Sequence, residues 1–247
     1  MSLVFLHGFL GRPSDWEQTF LRLRASSPTL ATYSVDYFAI PYLSPENSFE
    51  TWGYNFSKWV RNELGPGPHA LVGYSLGGRL ALHALETSPN LFNIGVLIST
   101  NPGFSSEALK SRSARVQNDQ IWSTRFLNES WDLLVQDWNK QEVFKNSRTQ
   151  PENRHELDYQ RPLLSEALVN WSLGRQKDFR PFLRNHPKQS LTWVTGDQDS
   201  RAMALHQELM AACPQLVVRT IEQAGHRVLF DAPDRLAQLL GAVFLQN

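Results

Sequence analysis

Leu71-Val72-Gly73-Tyr74-Ser75-Leu76-Gly77-Gly78 is the stretch on which the reading of this chain turns. His69–Tyr74 (HALVGY) is a short apolar run with the length of a buried strand, and Leu76–Leu85 has the pattern of a helix. Between them sits Gly-x-Ser-x-Gly, a motif that carries meaning only in this strand–turn–helix setting. The turn is tight enough to strain the serine backbone, and glycines on either side admit neighbouring segments that a Cβ would exclude. Ser75 Oγ is then expected above the carboxyl ends of the strands, beside helix amides that favour developing negative charge.

Outward from this point the chain alternates strand and helix. Ser2–Leu6, Ala31–Asp36, Ile94–Thr100, Ser190–Gly196 and Leu216–Ile221 read as further strands, with helices over Phe49–Leu64, Arg201–Ala212 and Pro233–Phe244. Such alternation implies a mostly parallel sheet with helices on both faces. Gly65-Pro66-Gly67-Pro68 reads as a turn, because its prolines lack amide donors and no Lys-Ser/Thr follows to bind phosphate. Between Phe104 and about Arg184 the strand pattern stops, and Trp122, Trp131, Trp138 and Trp171 lie among helix formers. The expected organisation is therefore a core of residues 1–103 and 185–247, with residues 104–184 inserted as a helical cap that roofs Ser75.

A nucleophilic serine needs a base, and the base needs an orienting acid. His226 follows the last strand in Gln223-Ala224-Gly225-His226, and Asp199 follows the preceding one in Gly196-Asp197-Gln198-Asp199. Both leave strand carboxyl ends, the edge that presents Ser75, and the order Ser…Asp…His suits the motif. Asp197 competes for the acid role; Asp199 is favoured by its longer loop. His7, His69, His83, His155, His186 and His206 lack such a setting and read as structural or surface residues. His7-Gly8-Phe9, after the first strand, nominates the backbone N–H of Phe9 as one oxyanion donor and that of Leu76 as the other.

Composition narrows the function classes. With 24 basic and 24 acidic residues the net charge is zero, which gives no support for a nucleic-acid partner. The single Cys213 excludes an internal disulfide or a cysteine metal cluster and reads as a buried structural thiol. Met1–Leu6 is apolar but short, has no basic start, and runs into His7-Gly8, unlike a signal peptide. No apolar run has the length of a membrane span. The expectation is a cytoplasmic enzyme with no membrane association, no metal and no cofactor; oligomeric state is not legible.

The run Val72-Gly73-Tyr74-Ser75-Leu76-Gly77-Gly78-Arg79 resembles the elbow of the 2-succinyl-6-hydroxy-2,4-cyclohexadiene-1-carboxylate synthases of menaquinone biosynthesis, α/β-hydrolase-fold enzymes that act as lyases. Asn101-Pro102-Gly103, Trp122-Ser123-Thr124-Arg125-Phe126-Leu127, Asp137-Trp138, Val143-Phe144, Gly196-Asp197-Gln198-Asp199-Ser200 and Ala224-Gly225-His226 continue the likeness over most of residues 3–232. The resemblance implies a small-molecule substrate bearing several carboxylates, bound by Arg79, Arg115 and Arg161 with Tyr74 and Trp138 as aromatic contacts. It implies elimination of pyruvate from an enolpyruvyl cyclohexene carboxylate, with Ser75 acting as a base. For Arg79 the spacing argues independently: four residues after Ser75, it shares that helix face. A planar guanidinium suits bidentate carboxylate binding. Surface ion pairing is the competing role for the cap arginines, since residues 104–175 hold ten basic and ten acidic residues.

Two departures from the family pattern stand out. An Asp-x-Pro-Gly-His-Gly-like turn is replaced by Asp36-Tyr37-Phe38-Ala39-Ile40-Pro41, so Tyr37 or Phe38 is expected to enter the site. The chain starts at the strand before His7, so the N-terminal edge strands of the fold are expected to be shortened or missing. Two rival functions remain open: a serine hydrolase of esters, thioesters or C–C bonds using the same triad, and a non-catalytic binding module.

Overall fold

The computed structural model describes residues 1–26, 28–151, 154–185 and 189–245; His186 lies outside them. Six strands form one sheet: β1 (Ser2–Leu6), β2 (Ala31–Val35), β3 (His69–Tyr74), β4 (Phe92–Ile98), β5 (Ser190–Gly196) and β6 (Val217–Ile221). Their order is β2-β1-β3-β4-β5-β6 and every pairing is parallel. The order reverses between β1 and β3, which opens a crevice beyond the strand carboxyl ends, where open α/β sheets place their ligands.

Alternation along the central strands sorts the core into two layers. Val4, Leu6 and Leu71 pack with Trp52 and Phe56 of α2 (Phe49–Leu64) and with Leu80 and Leu85 of α3 (Leu76–Thr87). Leu3, Phe5, Ala70, Val72 and Tyr74 point the other way. They meet Phe20 and Leu23 of α1 (Glu17–Ser26) and Leu236 and Leu240 of the last helix, Pro233–Leu245. This period of two is why the strands are apolar on both faces. Ser48 caps α2 by accepting from the Thr51 amide at 3.3 Å. Cys213 is buried, its thiol pushed up by that burial.

Between β4 and β5 lie α4 (Leu109–Asn128), α5 (Trp131–Asn139), α6 (Arg161–Asn170) and α7 (Arg180–Arg184), with no strand among the described residues. Trp122, Phe126, Trp131, Leu134, Leu164 and Leu168 form a separate apolar cluster, and Leu10 of the β1 loop inserts into it. The fold is completed by helices α8 (Ser200–Ala212), α9 (Val228–Asp231) and α10 (Pro233–Leu245). No helix among the described residues is long and apolar enough to cross a membrane.

The start of α3 lies against the end of β1 with no room for a side chain. A Cβ on Gly77 would run into the backbone carbonyls of Leu6 and His7. Gly77→Ala is therefore expected to cost about 1–3 kcal/mol, the range for overpacking. At this chain length that lowers Tm by roughly 2–12 °C. An unchanged Tm in thermal denaturation would show that α3 does not lie this close to β1.

Candidate active site

Ser75 links β3 to α3 with φ 53° and ψ −110°, a conformation that L side chains seldom adopt. Neighbouring strands hold it there. The Ser75 amide donates to Ile98 O at 2.9 Å, and Thr100 Oγ1 donates to Ser75 O at 3.2 Å. The turn exposes Oγ at the floor of a cavity of about 770 Å³ lined by the core loops and the helices between β4 and β5.

His226 Nε2 lies 3.1 Å from Ser75 Oγ, and its Nδ1 lies 2.9 Å from Asp199 Oδ2. Asp199 Oδ1 accepts the Ala202 amide of α8 at 3.0 Å, so the acid is also the N-cap of that helix. Burial raises the cost of its charge, but the His226 ring and the Ala202 and Arg201 amides outweigh it and hold the carboxyl below its usual range. The carboxylate therefore fixes Nδ1 as the protonated nitrogen and leaves Nε2 to accept from the serine. Asp197 faces elsewhere: its Oδ1 accepts the Ala224 amide at 3.2 Å.

Phe9 and Leu76 border the cavity beside Ser75. Leu76 is the first residue of α3, so its N–H has no acceptor within the helix. The peptide between Gly8 and Phe9 is tied down from its carbonyl side. Gly8 O accepts the Gly11 amide at 2.9 Å and lies 2.9 Å from His7 Nδ1. A trans peptide points its N–H opposite to its carbonyl, so these contacts orient the Phe9 donor. Tyr37 adds to the same support. It is fully buried, donates to His7 O at 3.0 Å, and stacks on the His7 ring at 4.3 Å. Neither Tyr37 nor Phe38 lines the cavity, which corrects the expectation that one of them enters the site. An apolar slot beneath the loop takes the Tyr37 ring, and Phe38 rests against Trp171 at 6.0 Å.

The three arginines nominated from the resemblance part company. Arg79 lines the cavity, donates to Trp171 O at 2.7 Å, and lies over the Phe49 ring at 5.6 Å. Among the described residues no carboxylate pairs with it. Desolvation, and after it the nearby charge of Arg115, brings its pKa down to about 9. Arg115 also lines the cavity, but its Nε donates to both oxygens of buried Asp119 at 2.8 Å. Arg161 is not among the lining residues. Its guanidinium donates to Phe126 O, Glu129 O and, at 2.9 Å, Glu156 Oε1. It therefore satisfies the last carbonyls of α4, where a cation also complements the helix dipole.

Trp138 lines the cavity, its ring 4.7 Å from that of Phe9. Tyr74 does not, because alternation along β3 sends its ring to the other face of the sheet, 5.8 Å from His226. Arg201 of α8 also lines the cavity and escaped the sequence reading. Its position two residues after Asp199, in the first turn of a helix starting at the active edge, was the available signal.

The match to known proteins agrees with this geometry. The model of the alpha/beta hydrolase family matches residues 3–239. A 2-succinyl-6-hydroxy-2,4-cyclohexadiene-1-carboxylate synthase of Citrobacter koseri is 33% identical, over 96% of this chain and 93% of its own length. One of Yersinia pseudotuberculosis is 31% identical, over 99% and 88%. Among solved structures, MenH from S. aureus superposes with a TM-score of 0.84 at 19% identity, over 100% of this chain and 94% of that one.

If Asp199 sets the tautomer of His226, Asp199→Asn should lower kcat by about 10⁴-fold, as loss of the correct tautomer does in triads, with little change in Tm. Asp197→Asn retains an acceptor for the Ala224 amide and should stay within a few-fold of wild type. Steady-state kinetics of the pair checks the assignment; equal losses would refute it.

Proposed function

The chain belongs to the alpha/beta hydrolase family and, within it, to the 2-succinyl-6-hydroxy-2,4-cyclohexadiene-1-carboxylate synthases, and from that premise we propose that it is a carbon–oxygen lyase of menaquinone biosynthesis. It would eliminate pyruvate from an enolpyruvyl cyclohexene carboxylate to give the cyclohexadiene for which its relatives are named. The observation that carries this reading is Arg79: a guanidinium with no carboxylate partner among the described residues, in the wall of the cavity that holds Ser75. An unpaired, desolvated cation is costly to a folded protein, and a substrate carboxylate relieves that cost.

Ser75 Oγ takes a ring proton while His226 Nε2 takes the hydroxyl proton, and Asp199 stabilises the resulting imidazolium. The C–H electron pair becomes a ring double bond. The C–O pair leaves with the enolpyruvyl fragment, which receives the proton and tautomerises to pyruvate. The Phe9 and Leu76 amides would hold negative charge that develops on an oxygen conjugated with the reacting carbon. Arg79 and Arg115 would hold carboxylates, Arg115 by exchanging or sharing its hold on Asp119, and Trp138 would cover the ring. No acyl-enzyme is needed, so the same triad serves as a proton carrier in place of a nucleophile.

Acyl-group hydrolysis by the same residues is the competing chemistry, and Arg79 separates the two. Arg79→Ala should cost about 2–5 kcal/mol of transition-state binding, the range for truncating one partner of a buried charge pair. That is roughly 30-fold to several-thousand-fold in kcat/KM on the pathway intermediate. Arg79→Lys should recover only part, because an ammonium lacks the planar fork. Ser75→Ala should abolish turnover. Strong wild-type cleavage of a small neutral ester, no turnover of the intermediate, and indifference to Arg79 would sink the lyase reading and leave the hydrolase.

A further inference from the structure

A second, smaller cavity of about 70 Å³ also borders Ser75, with Arg79 outside its lining. Ser75, Phe9, Trp138 and Phe144 border both cavities, so the small one opens off the reacting centre. Three charged side chains line it: Asp15, Arg154 and Arg227. Asp15 and Arg154 are buried and neutralise one another, with Arg154 Nη2 2.8 Å from Asp15 Oδ1.

Arg227 is different. It follows the catalytic histidine directly and is only 4% exposed. Among the described residues no carboxylate lies within ion-pair distance of it. Asp231 is the nearby acid, but its oxygens are taken by backbone amides, Oδ1 by Arg148 and Thr149 and Oδ2 by Gly225, each at 2.9 Å. The Arg227 guanidinium lies over the Phe144 ring at 4.0 Å and donates to Asn139 Oδ1. An aromatic face covers one side of a guanidinium and leaves its in-plane N–H groups available. Desolvation lowers its pKa from the ordinary arginine value, yet an arginine remains charged at neutral pH. The cavity therefore carries one positive charge in excess, in dry surroundings, within reach of Ser75.

We propose that Arg227 and this side cavity bind the carboxylate of the fragment that leaves, first as the enolpyruvyl group of the substrate and then as pyruvate. The inference rests on the lyase reading for the identity of the fragment. Its volume suits a three-carbon acid and not the ring, which the main cavity accommodates. Three carboxylates then have three separate arginines: Arg79 and Arg115 on the side of the retained skeleton, Arg227 on the side of the departing group. The single charge in excess matches a monoanion. Tyr74, buried in the wall of the same cavity, places its ring against the fragment and keeps water from it.

The test is binding of pyruvate to the whole protein, followed without turnover. In the wild type, pyruvate should shift the Arg227 Nε–Hε resonance, assigned through its own backbone, while methyl pyruvate, which lacks the charge, should not. Arg227→Gln should weaken pyruvate binding by at least about tenfold, the loss expected for a charge-assisted contact. Arg227→Lys, which keeps a cation over Phe144, should fall between and serves if the glutamine variant does not fold. In turnover of the intermediate, Arg227→Gln should raise KM and abolish product inhibition by pyruvate. No shift at Arg227 in the wild type, acetate binding as tightly as pyruvate, or binding lost in Arg79→Ala but kept in Arg227→Gln would each overturn the proposal. The outcome is separable from that of the lyase reading: turnover of the intermediate without pyruvate at Arg227 ends this inference alone. Pyruvate at Arg227 without such turnover ends the lyase reading and with it the identity of the fragment, while the carboxylate site at Arg227 stands.

Discussion

A single strained residue organises this molecule. Ser75 sits at positive φ because β3 must stop and α3 must start within one residue, with α3 packed against β1. That closeness needs glycine at position 77, where the carbonyls of Leu6 and His7 leave no room for a side chain. The strain is of the order of 1–3 kcal/mol, and the central sheet over-determines it. Its return is positional. Ser75 Oγ is lifted clear of the sheet, the α3 amides stand beside it, and the loop after β1 passes within reach to offer Phe9. The loops after β5 and β6 then need only bring Asp199 and His226 to the same edge, as parallel strands do by construction.

Around this fixed centre the charges are arranged unevenly. The segment between β4 and β5 closes over the serine with its own apolar cluster and is stitched to the core by Asp15–Arg154 and by Tyr159 Oη donating to Leu10 O at 3.1 Å. Under that roof most cations have partners: Arg115 has Asp119, Arg154 has Asp15, and Arg161 has the end of α4. Arg79 and Arg227 have no carboxylate partner among the described residues, and they line two different cavities that Ser75 borders. A folded protein gains nothing in stability from a desolvated cation without a counter-charge. On the proposed reading, a polyanionic substrate would complete both.

How far the sequence reveals this depends on the range of the interaction. β1, β3, β5 and α2 are legible to their end residues because apolar period and turn residues are local signals. β4 begins two residues earlier than its pattern suggests, since Phe92 and Asn93 extend it past the apolar run. The triad is legible because three residues share one edge of a parallel sheet, and sheet order follows from chain order. α1 passes unnoticed, since its buried face carries only two apolar residues, Phe20 and Leu23, beside Thr19. The fate of each arginine is least legible. Arg115 and Arg161 look alike in the sequence, yet one borders the cavity and the other caps a helix, which only the packing of α4 on α6 decides. Tyr37 likewise turns inward because His7 offers a ring to stack on and a carbonyl to accept its hydroxyl, neither of which is a neighbour in sequence.

The same triad can attack a carbonyl or pull off a proton, and what separates the two outcomes is where the substrate is held. An acyl carbon must reach Ser75 Oγ with its oxygen in the hole formed by Phe9 and Leu76; a ring C–H must reach the same oxygen with its leaving group turned away from it. On the proposed reading, carboxylates of the retained skeleton at Arg79 and of the departing fragment at Arg227 would favour the second pose, with the C–O bond that breaks lying between two anchored ends. A reacting C–H held near 3 Å from its base gains several orders of magnitude from position alone. A cation already paired within the protein, as Arg115 is with Asp119, contributes less, because it must first give up or share its partner. On the proposed lyase reading, the lack of a carboxylate partner at Arg79 and Arg227 among the described residues fits a proton-transfer enzyme built on a nucleophile's scaffold. It ties the choice of chemistry to electrostatics outside the triad.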